Sequence, residues 1–224
     1  MTITWREHEH SAIDNEVMQD QQLLDILRNC GLLKFFKMPN MKSNIRLLEK
    51  LVNYWEPEEY FFVIDQMPIH IEVEDIYFIT GLSRRGDRVD LHGKPLGGLT
   101  VDDYVHVYCV EGSKKVGTQI AIKYLRDLHM NFLLFTIGTV AGSASLHQPS
   151  RTQMRIAVEC LTHLYDWCTS LLMNMKQQLT SIRKVKTKHF GYGTILMKFF
   201  FEKIHGLRPK VISSISSPRD PRIA

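Results

Sequence analysis

One stretch of this chain carries the clearest β-strand signal. Tyr60-Phe61-Phe62-Val63-Ile64 is aromatic and β-branched, Asp65-Gln66-Met67-Pro68 has turn chemistry, and Ile69-His70-Ile71-Glu72-Val73 alternates apolar with polar, which predicts a hairpin. Glu74 and Asp75 then favour the start of a helix by meeting its dipole, Ile76, Ile79 and Tyr77 face inward, and Gly81 offers a left-handed stop. The segments on either side are helical in period, so the expected fold is mainly α: an irregular multi-helix globular domain with one β-hairpin near residues 60–73.

Ahead of the hairpin, Asp14 and Asn15 are candidate caps for a helix starting near Glu16, with Leu23, Leu24, Ile26, Leu27 and Cys30 on one face until Gly31. Ser43 is the candidate cap of a second helix striped by Ile45, Leu48, Leu51, Val52 and Trp55, which Pro57 ends. After the hairpin, residues 83–99 are rich in glycine and charge and predict a long surface loop. A short helix opens at Thr100, with a polar linker from Glu111 to Lys115.

Residues 118–144 are helical in pattern, and Met130 to Gly142 is apolar almost all round, as a core helix requires. The spacing of Gly138 and Gly142 suits tight helix packing in that core. Pro149 and Ser150 start what reads as one long amphipathic helix, from Arg151 to Leu179, crossing the domain as a strut. A basic loop, Arg183 to His189, precedes a last apolar helix from Gly191 to His205. Residues 1–212 therefore read as one domain and 213–224, poor in large apolar groups, as a disordered tail. No internal repeat is visible, which disfavours a solenoid.

Composition narrows the setting. No run of eighteen apolar residues occurs, and Met1 to His8 lacks the apolar stretch of a secretory signal, so the expectation is a protein outside membranes. The four cysteines form no CxxC pair and no Asn-x-Ser/Thr acceptor is present, which fits the reducing nucleus or cytoplasm. The net charge of +4 divides unevenly: residues 176–224 carry +9 and the first 175 carry −5. A basic end on an acidic body suits an anionic partner or an import receptor, or a solvated face.

Trp55-Glu56-Pro57-Glu58, the strand Tyr60 to Ile64, and Met67 to Leu82 with its closing Gly81-Leu82 together resemble the signature of the plant mobile domain, and Gly31-Leu32-Leu33 resembles that family's entry segment. Members are described as aminotransferase-like and include maintenance-of-meristems proteins and domains carried by transposable elements. The resemblance implies a nuclear role in genome stability, transposon silencing and meristem maintenance, sometimes alongside a plant protein phosphatase seven-type phosphatase. It transfers no catalytic residues, and the length of this chain suggests a truncated copy.

A pyridoxal phosphate enzyme needs a Schiff-base lysine and a phosphate cradle, usually on an α/β scaffold, and no βαβ alternation is present. The nearest lysine, Lys198, reads as a core-edge lysine. His8 with His10, and Cys160 with His163, lack the second ligand pair of a metal site. Gly93-Lys94 is not a Walker loop, and His106 with Cys109, or Cys30, reads as a buried pair rather than a nucleophile. No enzyme, cofactor or metal is therefore assigned.

Two functional readings stand. The first is a non-enzymatic nuclear domain that binds other proteins through the hairpin and the 83–99 loop, with Arg84, Arg85, Arg88 and Lys94 as candidate contacts. The second is a nucleic-acid-binding module of transposon origin that uses Arg183, Lys184, Lys186 and Lys188, with Phe190 and Tyr192 as the nearest stacking aromatics. The same basic run resembles a weak import signal.

Overall fold

A computed structural model of the chain describes residues 20–38, 44–91, 128–142, 150–185 and 190–204. Over these residues the fold is mainly helical with one small antiparallel sheet, as the sequence pattern predicts. The predicted helix at 100–108, the linker at 111–115, the first part of the 118–144 helix and the tail lie outside the described residues.

Helix α1 spans Gln21–Asn29 and buries Leu23, Leu24 and Leu27. Its cap is Asp20, which is extended and whose carboxylate accepts the Leu23 amide at 3.0 Å; Asp14, Asn15 and Glu16 lie outside the described residues. The same carboxylate lies 2.6 Å from His129 Nε2, 109 positions away in the chain. The Leu23 amide first, and His129 second, hold the Asp20 carboxyl below its ordinary pKa.

A short helix, α2 (Leu33–Phe36), follows, and α3 (Ile45–Asn53) buries Leu48, Leu51 and Val52. Asn44 caps α3, its side chain accepting the Leu47 amide at 3.1 Å, while Ser43 lies outside the described residues.

The sheet has three strands in the order β1 (Trp55–Glu56), β2 (Phe61–Ile64) and β3 (Met67–Ile69), all antiparallel. The hairpin turn is tighter than the sequence suggests. Asp65 and Gln66 alone make it, with φ of 49° and 64°, and positive φ at both central residues gives the twist that two strands need. Met67 and Pro68 consequently belong to the strand, where Pro68 is tolerated because β3 is an edge. Strand β1 is two residues long, too short to show a period.

On the inner face, Trp55 pairs with Phe62 and Phe62 with Ile69. The Trp55 and Phe62 rings stand 4.8 Å apart, and Phe62 meets Phe200 at 4.9 Å. Alternation thus points one row of the sheet into the helical core.

Helix α4 (Val73–Thr80) begins with a reciprocal cap between Glu72 and Asp75 and ends at Gly81, whose φ of +67° lets the chain leave the helix without a Cβ clash. Helix α5 (Leu128–Val140) is apolar all round and packs on α6 (Arg151–Glu159), which Ser150 and Gln153 cap as a box. Gly142 lies just past the end of α5 with φ of +60°, in close contact with Tyr192 and Gly191 ahead of the last helix.

The predicted single strut from Arg151 to Leu179 is in fact two helices. The chain leaves helical form after Glu159 and resumes as α7 (Trp167–Val185). Asp166 sits before the new start and accepts both the Thr169 amide at 3.0 Å and the Thr169 hydroxyl at 2.6 Å. Apolar residues continue at near-helical spacing through the break, which hides it from a periodicity argument.

Helix α7 is the strut of the described fold: it packs against α3, α4 and β1, and α8 (Gly193–Lys203) covers α3 and α4. One contiguous core results, holding Trp55, Phe62, Trp167, Tyr192 and Phe200. Lys198 is half-buried at the edge of α8, and desolvation lowers its ammonium pKa. Among the described residues, no helix is long and apolar enough to cross a membrane.

The core makes stability sensitive to alkali. Burial raises the pKa of Tyr165 and Tyr192 and pushes the Cys168 thiol up to about 12, while Cys160 is raised first by its hydrogen bond to Cys30 and then by burial. In the unfolded chain these groups release protons from about pH 8.5 for thiols and about pH 10 for phenols. The unfolded state then holds fewer protons than the folded state. The contribution of these four groups should be constant below about pH 8.5 and fall above it, approaching about 1.4 kcal/mol per pH unit for each of them. Urea unfolding at stepped pH measures this slope, and a flat profile through pH 11 would show that these side chains are not buried.

Candidate protein-interaction surface

Gly81 delivers the chain into the segment from Leu82 to Leu91, both of whose ends are buried. Over its described residues, up to Leu91, the expected surface loop is irregular and largely exposed, and its backbone is fastened across the α6–α7 turn. The Ser83 amide donates to Gly31 O at 3.1 Å, and Ser83 O accepts the Cys168 amide at 3.1 Å. The Asp87 amide donates to Leu164 O at 3.2 Å, Asp87 O accepts the Asp166 amide at 2.9 Å, and the Val89 amide donates to Ser170 Oγ at 3.2 Å. Val89 turns inward and is buried.

With the backbone held, Arg84, Arg85 and Arg88 project into solvent. Lys94 lies outside the described residues. Arg84 pairs with Glu74 of α4, and its guanidinium lies 5.7 Å from the centre of the Tyr77 ring. The Tyr77 ring in turn meets Phe78 edge-on at 5.5 Å. Phe78 is 80% exposed, the largest exposure of any aromatic side chain among the described residues.

Glu74, Tyr77, Phe78 and Arg84 therefore form one surface cluster. Leaving a phenylalanine in water forgoes about 1.5–3 kcal/mol of burial, and aromatic residues with arginine are the types that dominate binding hot spots. Phe78 escapes the sequence reading, although a signal exists: five of the eight residues of α4 (Val73, Ile76, Tyr77, Phe78 and Ile79) are large and apolar, more than one buried face accommodates. Two further apolar side chains of the sheet region, Met67 and Tyr60, are also exposed.

The basic segment is placed differently from expectation. Arg183 and Lys184 belong to the last turn of α7, because the helix runs to Val185, and are not on a loop. Arg183 Nε donates to Trp55 O at 3.1 Å, and Lys184 Nζ lies 2.7 Å from Glu58, whose carboxylate raises the lysine pKa. Both cations thus have acceptors within the chain, at a helix C-terminus that itself favours positive charge. Phe190 and Tyr192 are fully buried and offer no stacking face. Lys186 and Lys188 lie outside the described residues.

Cys160 and His163, one turn apart on paper, diverge at the end of α6: the thiol is buried, while the imidazole is exposed and stacks at 6.5 Å on Tyr165. Among the described residues no three His, Cys, Asp or Glu side chains converge. His8, His10, His106 and Cys109 lie outside the described residues.

The fold is that of a helical domain carrying a small sheet and a fastened arginine-bearing segment. The chain belongs to the family described as a domain of unknown function, DUF8566, whose model matches residues 15–197 and so takes in every element from α1 to the first turns of α8. No curated protein and no solved structure matches it.

Proposed function

We propose that this chain is a non-enzymatic nuclear domain that binds other proteins, in the genome stability, transposon silencing and meristem maintenance implied by the resemblance of Trp55 to Leu82 to the plant mobile domain. A plant protein phosphatase seven-type phosphatase is the partner that resemblance names. The observation that carries the binding role is Phe78, exposed beside the Tyr77–Arg84 pair on a rigid helix.

Phe78→Asp removes the anchor without touching the core, so folding stability should change by no more than about 0.5 kcal/mol. The purified wild-type and variant chains are presented to such a phosphatase, and nuclear localisation and crosslinked partners are compared in plant cells. Loss of binding in a variant with an unchanged melting curve supports the proposal. Retention of every partner refutes the role of this face.

A parallel titration with double- and single-stranded DNA at several salt concentrations uses Arg183, Lys184, Lys186 and Lys188 changed together to Glu. Binding that falls steeply with salt and disappears in that variant would replace the protein-binding reading with the nucleic-acid module.

A further inference from the structure

The sheet seats one face on the helical core and turns the other away from it. Its antiparallel register sets what that outer face carries: Glu56 pairs with Phe61 and Val63 with Pro68, on the side opposite the buried Trp55–Phe62 pair. The same register brings His70 beside Phe61, their rings 5.1 Å apart, and Tyr54 beside Val63, whose amide donates to Tyr54 O at 2.8 Å. Two rows result, Glu56–Phe61–His70 and Tyr54–Val63–Pro68. Both ends of each row stand in water, and Phe61 and Val63 at the centre are half-buried. Five of the six side chains are aromatic or apolar, on a face that a solvated sheet ordinarily makes polar.

Charge is as one-sided as the rows are apolar. Residues 54–72 hold the carboxylates of Glu56, Glu58, Glu59, Asp65 and Glu72 and contain no lysine or arginine. All five of these residues are exposed. Among the described residues, the one cation that forms a salt bridge with any of them is Lys184, on Glu58. Arg183, its neighbour, is engaged by Trp55 O at the edge of the sheet.

We propose that the outer face of the sheet is a docking surface for a lysine- or arginine-rich segment of a partner protein. Long basic side chains combine an apolar stem with a terminal cation, which is the combination this face complements. Their stems cover Phe61, Val63 and Pro68, and their cations reach Glu56, Glu59 and the face of the Tyr54 ring. The charge also selects among occupants. A nucleic-acid backbone or an acidic segment meets five carboxylates and is repelled, and two copies of this chain laid face to face repel each other for the same reason. The face shares no residue with the Phe78 cluster, and it rests on the protein-binding reading only in that its partner is a protein.

The probe is a fluorescein-labelled peptide of about ten residues that alternates lysine with alanine, long enough when extended to cross the face. A second peptide carries glutamate in place of lysine. Binding to the full chain is followed by anisotropy at low salt and by amide chemical-shift mapping of isotope-labelled protein. The lysine peptide should bind and the glutamate peptide should not, with shifts centred on residues 54–70. Glu56→Lys combined with Glu59→Lys should weaken binding about tenfold or more, and Tyr54→Ala, which leaves the charge unchanged, about threefold. Phe78→Asp should bind as the wild type does. Melting curves verify that each variant is folded, and Glu56→Gln with Glu59→Gln replaces the lysine variant should that one unfold. No binding of the lysine peptide, equal binding of both peptides, shifts centred elsewhere, or an affinity that either the charge variant or Tyr54→Ala leaves unchanged would overturn the proposal. So would loss of binding in Phe78→Asp, which moves the peptide to the other cluster. Displacement of the peptide by single-stranded DNA, or a dimer in sedimentation that Tyr54→Ala dissolves, would overturn it in favour of nucleic acid or a second copy.

Discussion

Trp55→Ala should destabilise the protein by about 3–5 kcal/mol, the largest loss expected from any single side chain of the sheet. Trp55 is fully buried, its ring packs on Phe62, and its indole N–H donates to Thr180 Oγ1 at 3.1 Å across to α7. Removing it opens a cavity where β1, β2 and α7 meet, and it strips Thr180 of a partner. Trp55→Phe retains most of the packing and loses the N–H, so its loss should be nearer 1–2 kcal/mol. Urea unfolding followed by far-ultraviolet circular dichroism separates the two variants. A loss below about 1 kcal/mol for Trp55→Ala would mean that the sheet is not seated on α7.

Gly86→Ala should release the segment that carries the three arginines. Gly86 has φ of +103°, and a Cβ there would stand 2.0 Å from Leu164 O and 2.4 Å from its carbonyl carbon. Both are backbone atoms of a turn pinned by Asp87 and Asp166, so no side chain can swing aside. Left-handed strain and the clash together should cost at least about 2 kcal/mol. The cheapest escape is for residues 83–89 to lift off α7. Hydrogen exchange at the Asp87 and Asp166 amides should then accelerate by about 30-fold or more, while amides in the middle of α7 keep their protection. Unchanged exchange at Asp87 and Asp166 would show that the segment is not fastened through this turn. The variant also bears on function, because binding that depends on Arg84, Arg85 and Arg88 as a fixed set should weaken with it, whereas Phe78→Asp removes the neighbouring anchor and leaves the segment in place.

Membership of DUF8566 establishes kinship across residues 15–197 and leaves the role of the family open. The proposed binding role accordingly stands on the surface itself: an exposed Phe78, a Tyr77–Arg84 contact and a segment held by backbone hydrogen bonds.

Much of the fold was legible from local pattern. Aromatic and β-branched content in 60–64, the acidic start and glycine stop of α4, and the apolar character of α5 and α8 each reflect rules that act over a few residues, whereas the alternation of 69–73 did not mark a strand beyond Ile69. Local rules also have a limited reach. Pattern does not single out Asp20 and Asn44 as caps; Asp20 accepts the Leu23 amide while His129 meets its carboxylate, and Asn44 accepts the Leu47 amide. The candidate surface was legible in part. Arg84, Arg85 and Arg88 stood out by charge, but Phe78 looked like one more core residue, because sequence counts apolar groups and does not say which of them a neighbour will cover.

By itself, then, the sequence determined that this chain is helical around a single hairpin, where α4 starts and stops, and which runs are apolar enough to form a core. Those are consequences of backbone preference and of period. Only the tertiary structure decided that the 151–185 region breaks into two helices, that Arg183 and Lys184 face Trp55 O and Glu58, and that Phe78 is left in water. Each of those outcomes depends on groups distant in the chain competing for the same space, hydrogen bond or charge, and that competition is settled only when the elements pack together.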